Sequence, residues 1–375
     1  MSRVLIVTAQ HFATQPRKVD LHFMAEALNA QGVAVDFLSM RLSWLSRIMR
    51  DERWAFASTR PLNRWTVIGP LLQEFIWRTP LHPITLRRQA LDAALSPFAH
   101  LYGRLLPAAV TQRLSEYSHI LVESGISLLA LPTLRRLAPQ AKLIYHAADR
   151  LATIGAHPAA AATLQSHAAA IDQAHVMADA IRGDIPAGVD TIYLPHGISK
   201  DAFDRIVENP YAGPRNAVSV GDMLFDAATI ETLARRFPDW TFHLFGRRAR
   251  LEQPFDNVEV HGETPFDTVA AYIKYADIGI APYLPKADAD YLSQSSLKMI
   301  QYTYCQLPIV APRFAAAGRA HVSAYDPGDA DSVAAAFEKA ADCDRATIDI
   351  SSVLTWEEKT ARLFGLAKNP KTGEI

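Results

Sequence analysis

The octapeptide Ser295-Ser296-Leu297-Lys298-Met299-Ile300-Gln301-Tyr302 joins two potential helix N-caps to an apolar-periodic run with a lysine in its first turn. The unpaired N–H groups and dipole of a helix start attract anions, and a lysine there adds a mobile positive charge, so a diphosphate is the ligand this stretch suits. Taken alone, it also reads as an ordinary capped helix with one solvated lysine. Polar residues elsewhere follow apolar runs in the same manner: Gly221-Asp222-Met223, Gly246-Arg247-Arg248, Gly262-Glu263 and Pro282-Tyr283. A glutamate at a strand end can accept from two ribose hydroxyls, and equally can be a turn carboxylate; Tyr283 can stack on or bond to a nucleotide, or be a half-buried ring.

In the first half of the chain, the apolar run ending at Tyr145 leads into His146-Ala147-Ala148-Asp149-Arg150. An aspartate just past a strand end can take a proton from an attacking hydroxyl, and Glu123, after Ile120-Leu121-Val122, is the rival base. Either is equally readable as a turn carboxylate. His11, Arg17 and His22, near the end of the first strand, can touch an acceptor or be structural. Asp288-Ala289-Asp290 has the spacing of a metal-binding pair, but a helix start with Lys298 would neutralise a diphosphate without a metal. Neither a Gly-x-Gly-x-x-Gly after the first strand nor a Walker A lysine motif occurs.

These residues need a scaffold of alternating strands and helices. Val4–Thr8, then Leu21, Met24, Ala25 and Leu28 at helical spacing, Gly32 as a stop and Val33–Leu38 form a βαβ opening. Further strands are predicted at 120–122, 142–145, 175–177 and 191–194, with an Ala-rich helix across 158–171. The rhythm restarts at Ala217, with strands at 217–221, 241–245, 258–261, 277–281 and 308–311 and helices between them. Two parallel α/β sheets in series are the economical reading. The predicted domains are 1–200 and 201–354, joined by a Pro/Gly-containing linker at 195–214, with a C-terminal helix in 355–375 that packs back across the hinge. In open α/β domains ligands bind beyond the carboxyl ends of the strands, which places the expected site in the cleft between the two.

At 375 residues, 49% apolar, 21% charged and with a net charge of -1, the composition is that of an ordered globular protein without a nucleic-acid signature. Two cysteines, Cys305 and Cys343, support neither a disulfide framework nor a zinc site, and a reducing compartment fits them. No stretch is long and apolar enough to read as a membrane span. The average conceals one strongly basic segment: Arg41 to Arg113 holds eleven Arg, no Lys and four acids, with Trp44, Trp54, Trp65 and Trp77 interleaved. Such a mixture lies well at an anionic bilayer surface, with Trp44, Arg47 and Trp54 as the candidates; it also describes a solvated basic face over packed tryptophans.

Taken together the segments resemble the GumK-like glucuronosyltransferases, family 70 of the glycosyltransferases. The resemblance rests on His11-Phe12 with Pro16-Arg17, Leu38 to Arg47, Trp77-Arg78-Thr79, Glu123-Ser124-Gly125-Ile126, Ala147 to Thr153, Val220 to Asp226, Gly262-Glu263, Ile278 to Tyr283 and the octapeptide. It implies a GT-B fold with an acceptor-binding, membrane-docking N-terminal domain and a nucleotide-sugar C-terminal domain. It further implies inversion at the anomeric carbon with neither metal nor other cofactor. Asp149 falls on the family's base, and Met223, Glu263, Tyr283, Ser296, Lys298 and Gln301 fall on positions that hold UDP or the sugar acid. The implied substrates are UDP-glucuronate and a lipid-linked oligosaccharide of exopolysaccharide synthesis, at the cytoplasmic face of the inner membrane. The alternatives are a GT-B transferase that uses another UDP-sugar such as UDP-glucose, or a non-catalytic peripheral membrane protein that binds a nucleotide sugar. Arg150 beside the base and the basic turn Gly246-Arg247-Arg248 depart from the family pattern.

Overall fold

The computed structural model describes residues 2–13, 18–57, 59–286, 291 and 294–366. It divides into two compact units, residues 1–195 with 356–375, and residues 196–355.

The first unit is built on eight strands: β1 (Arg3–Thr8), β2 (Ala34–Ser43), β3 (Trp65–Gly69), β4 (Leu72–Thr79), β5 (His119–Glu123), β6 (Lys142–Ala147), β7 (Gln173–Val176) and β8 (Thr191–Tyr193). Their order is β3-β4-β2-β1-β5-β6-β7-β8, parallel except for β3. Val4 to Val7 in β1 are all fully buried, as a central strand covered on both faces requires, and this explains its continuous apolar run. The expectation of a wholly parallel sheet therefore fails at one edge. A two-residue connection, Pro70-Leu71, suffices for an antiparallel hairpin, whereas a parallel partner needs a crossover. The C-terminal helix Trp356–Phe364 belongs to this unit; Trp356 stacks on Phe23 at 5.1 Å and Gln31 Nε2 donates to Thr360 Oγ1 at 2.8 Å. One further long helix, Gln89–Arg104, runs through Pro97, a residue that ordinarily argues against a helix interior and masks this element in the sequence.

In the second unit β9 (Asn216–Val220), β10 (Thr241–Phe245), β11 (Val258–Gly262), β12 (Ile278–Ile280), β13 (Ile309–Pro312) and β14 (Val322–Tyr325) form one parallel sheet of order β11-β10-β9-β12-β13-β14. Strand alternation splits its core into two layers. Ala217, Phe242, Leu244, Ile278 and Val310 pack against Ile230, Leu233 and Phe337 on one face; Val218, Phe245, Ile309 and Ala311 pack against Met299, Tyr302 and Ile273 on the other. The segment expected as a linker holds a short helix, Lys200–Asp204, whose Phe203 is buried in the second layer. Ile198 N–H donates to the Leu354 carbonyl at 2.9 Å, so both ends of this unit lie side by side.

Candidate active site

In the C-terminal unit the sheet's carboxyl edge collects the residues singled out above. Gly221, after β9, is at φ +82 and its N–H donates to the Phe245 carbonyl at 2.7 Å; Gly246, after β10, is at φ +140 and donates to the Gly262 carbonyl at 2.7 Å. At Gly246 a Cβ would come within 3.1 Å of the Gly221 and Asp222 backbone region, so only glycine lets these two turns nest. The Asp222 carboxylate accepts from the Arg248 N–H at 2.8 Å and lies 3.7 Å from its guanidinium, which ties the basic turn after β10 to the turn after β9.

The helix of the octapeptide spans Leu297–Tyr304. Ser296 is its N-cap: its hydroxyl accepts from Met299 N–H and meets the Tyr283 hydroxyl at 2.5 Å. The adjacent Ser295 is not the cap, since its hydroxyl donates back to the Tyr291 carbonyl; the two serines have separate tasks because only one residue can occupy the extended position before the first turn. Lys298 is partly exposed, and its Nζ lies 4.8 Å from the centre of the Tyr283 ring. Burial of the ammonium lowers its pKa to about 8 against the opposing field of Asp222. Nζ also lies 3.9 Å from where a Cβ on Gly221 would be, so the lysine reaches the turn after β9. Tyr283 itself is 1% exposed; its ring supports Lys298 and its hydroxyl holds Ser296, which gives it a positioning task. Gln301 is buried one turn further along, while Met223 and Glu263, beyond β9 and β11, are exposed.

A residue the sequence reading did not single out ties this edge together. Tyr302 is fully buried, its hydroxyl accepts from Val220 N–H at 3.0 Å, and its ring lies where a Cβ on Gly279 would come within 2.5 Å of it. The glycine in β12 therefore lets the helix Leu297–Tyr304 sit close on the sheet. The only sequence signal was a glycine inside a strand pattern, which marks close approach.

The N-terminal unit carries the second group. Glu123 is buried at the end of β5, where its carboxylate accepts from the Thr8 hydroxyl, from Ala9 N–H at 3.0 Å and from Gln10 Nε2 at 3.5 Å. Burial raises its pKa and those donors oppose the rise, so this carboxylate braces the end of β1. Asp149 lies in the turn after β6 and is partly exposed; its N–H donates to Ser124 Oγ at 3.3 Å. Arg150 is turned toward another group, with its guanidinium donating to the Ala180 carbonyl at 2.7 Å and lying 3.4 Å from Asp184. His11 is 2% exposed and its carbonyl accepts from His22 Nε2 at 2.9 Å; desolvation, with Arg53 nearby, lowers the His11 pKa to about 4. Both imidazoles are thus inside the unit. Arg17, Asp288 and Asp290 lie outside the described residues.

Behind Asp149 lies a buried polar chain without a sequence signal. Across two parallel strands, His146 bonds Asp20 at 2.7 Å and His175 at 2.8 Å; His175 in turn bonds the Leu194 carbonyl at 2.9 Å. Lys359 is fully buried, with burial lowering its pKa to about 8 and Asp20 opposing.

The tryptophans of the basic segment divide. Trp77 is buried, stacked on Tyr102 at 4.6 Å, and Trp65 is partly exposed, its indole N–H donating to the Ala109 carbonyl at 2.9 Å. Trp44 is 44% exposed, under the guanidinium groups of Arg47 and Arg78 and against the partly exposed Trp54. Ile48 and Met49 beside it are open to solvent, and Leu91, Leu95, Phe98, Leu101 and Leu105 form an exposed apolar stripe along and just beyond Gln89–Arg104. An apolar groove runs between Leu45, Leu81, Ile84, Leu86, Leu95 and Phe98. Among the described residues, no helix is long and apolar enough to cross a membrane.

Two α/β units of this kind make a GT-B fold, and solved structures bear it out. OtsA, a trehalose-6-phosphate synthase, matches with a TM-score of 0.59 at 14% identity over 97% of this chain and 95% of that one. Anabaena HepE in complex with UDP and glucose matches at 0.52 and 13% identity, covering 97% and 95%. Residues 6–177 match the family model of the glucuronosyltransferase GumK, N-terminal domain. A UDP-glucuronate:glycolipid 2-beta-glucuronosyltransferase of Xanthomonas campestris pv. campestris is 31% identical over 370 residues, 98% of this chain and 90% of that protein. The chain belongs to the GumK glucuronosyltransferase family and is a glycosyltransferase.

Proposed function

We propose that this glycosyltransferase moves glucuronate from UDP-glucuronate to a lipid-linked oligosaccharide at an anionic membrane surface, with inversion and without a metal. The observation that carries the donor side is Lys298 on the helix capped by Ser296, its ammonium on the Tyr283 ring and beside the turn after β9. That arrangement suits a departing diphosphate, because a prepositioned cation and helix N–H groups stabilise the developing charge without reorganising. Met223, Glu263 and Gln301 complete the donor site, Glu263 accepting from the ribose hydroxyls. The glucuronate class of donor is carried by the relative's printed activity.

On the acceptor side Asp149 is favoured over Glu123, because Glu123 is bound on both oxygens by its own unit and Asp149 is partly exposed. Asp149 accepts the proton of an acceptor hydroxyl; the hydroxyl oxygen forms the bond to C1 as the bond from C1 to the diphosphate oxygen breaks, and UDP departs toward Lys298. His11 and Glu123 shape the acceptor side, and Arg17, outside the described residues, is the further candidate for an acceptor contact. The exposed apolar stripe with the Trp44 and Arg47 cluster supports peripheral binding at the cytoplasmic face of the inner membrane, and lipid-linked acceptors of exopolysaccharide synthesis are the matching substrate class. The test is transfer from UDP-glucuronate to a lipid-linked acceptor in excess EDTA, with the product's anomeric configuration read by NMR. A β-linked product at full rate is expected; an α-linked product would overturn inversion, loss of rate restored by Mn²⁺ would overturn metal independence, and preference for UDP-glucose would reassign the donor.

A further inference from the structure

At the outer edge of the C-terminal unit, on the two strands that lead to the Gly246 and Gly262 turns, His243 of β10 faces Glu259 and His261 of β11. Glu259 is the register partner of His243, and His261, two residues on, shares its face of the strand. His243 Nδ1, His261 Nε2 and a Glu259 carboxylate oxygen are mutually 3.1, 3.4 and 3.6 Å apart. Three ligand atoms of a tetrahedral zinc ion, bonded at about 2.0–2.1 Å, stand roughly 3.3 Å from one another. We infer that these three side chains form a binding site for a divalent transition-metal ion of the zinc class, with water as the fourth ligand.

The surroundings prepare the ligands. Asn216 Nδ2 donates to the Gly213 carbonyl, which turns its oxygen toward His243 Nε2 at 3.3 Å; His243 therefore carries its proton on Nε2 and points a lone pair from Nδ1 at the other two groups. A carbonyl behind a ligating histidine is the usual outer-shell partner of a metal site. The His261 ring is held flat against Phe245, 4.4 Å away and 6° from parallel, and Tyr211 packs edge-on to His243. Two imidazoles and one carboxylate select zinc-class ions over magnesium or calcium, which prefer oxygen. With Glu259 exposed, the site is open to entry from solvent. Among the described residues this is the one cluster of three such groups close enough to share an ion. Since β11 pairs with the sheet on one side only, an ion here would fasten the edge strand to β10.

The inference is independent of the transferase reading and is tested without turnover. Full-length protein stripped with a chelator is titrated with Zn²⁺ against a chromophoric competitor, followed by X-ray absorption at the zinc edge and thermal unfolding. One ion per chain is expected, with two imidazoles in its shell and a higher Tm. His261→Ala should weaken binding by 100-fold or more and Glu259→Gln, an isosteric surface change, by about tenfold, while Asn216→Ala should cost roughly 10- to 100-fold through the lost outer-shell bond. Zinc bound equally by the parent and both ligand variants, or a shell lacking two imidazoles, would overturn it; so would a parent that binds no zinc.

Discussion

In the C-terminal unit the exposed chemistry is polar and small, gathered where strands end: Gly221, Gly246 and Gly262 leave room, and Lys298 supplies charge on a capped helix. The N-terminal unit has the same sheet plan with the reverse distribution. It encloses several ionisable groups, Glu123, His11, His146 and Lys359, while Leu91, Leu95, Phe98, Leu101 and Leu105 face solvent. On the function proposed, a soluble donor with a diphosphate and a carboxylate is best met by prepositioned charge, whereas an acceptor carried on a lipid is best met by apolar area beside arginine. One architecture can carry both distributions because the groups that differ sit on turns and one added helix, leaving the sheets to packing.

The sharpest way to break this division is to remove the key group from each unit. Asp149→Asn should lower kcat by about 10²–10⁴ with UDP affinity retained, and Lys298→Met should lower it by about 10²–10³ while weakening UDP binding. Steady-state kinetics with calorimetric UDP titration separates them. Near-normal turnover of the first would move the base elsewhere, and unchanged UDP affinity of the second would remove Lys298 from the donor site.

A smaller effect tests the apolar surface. Leu95→Glu with Phe98→Glu should reduce sedimentation with anionic liposomes at least tenfold, since each side chain contributes about 1.5–3 kcal/mol when buried. Val207, 83% exposed on the C-terminal unit, is the control, and Val207→Glu should change nothing. Equal loss in both would mean that the binding surface is not confined to the stripe.

The smallest effect concerns the charge buried in the N-terminal unit. With its pKa lowered to about 8 in the fold from 10.5, Lys359 binds fewer protons folded than unfolded between those values, so its charge penalises the fold at pH 7 and the penalty is relieved as pH rises through this window. Lys359→Met should therefore stabilise the unit by about 1–3 kcal/mol at pH 7, and the advantage should shrink toward pH 10. Urea unfolding at both pH values checks it; a destabilised variant would show that the lysine holds Asp20 and Trp356 in place.

By itself the sequence determined the alternation of strands and helices, the two-unit plan and the residues at strand ends, because buried parallel strands are continuous apolar runs that anyone can count. It also marked Ser296 and Lys298, since caps are local chemistry. The β3–β4 hairpin and the helix through Pro97 escaped it: one has no regular alternation, and the other contains a residue that local rules exclude from helices. The depth at which Glu123 is enclosed and Asp149 left partly open, the task of Tyr283, and the meeting of His243, Glu259 and His261 belong to tertiary structure alone. Each depends on which strands lie side by side and how deeply a side chain is enclosed, and neither neighbourhood nor depth is a property of spacing along a chain.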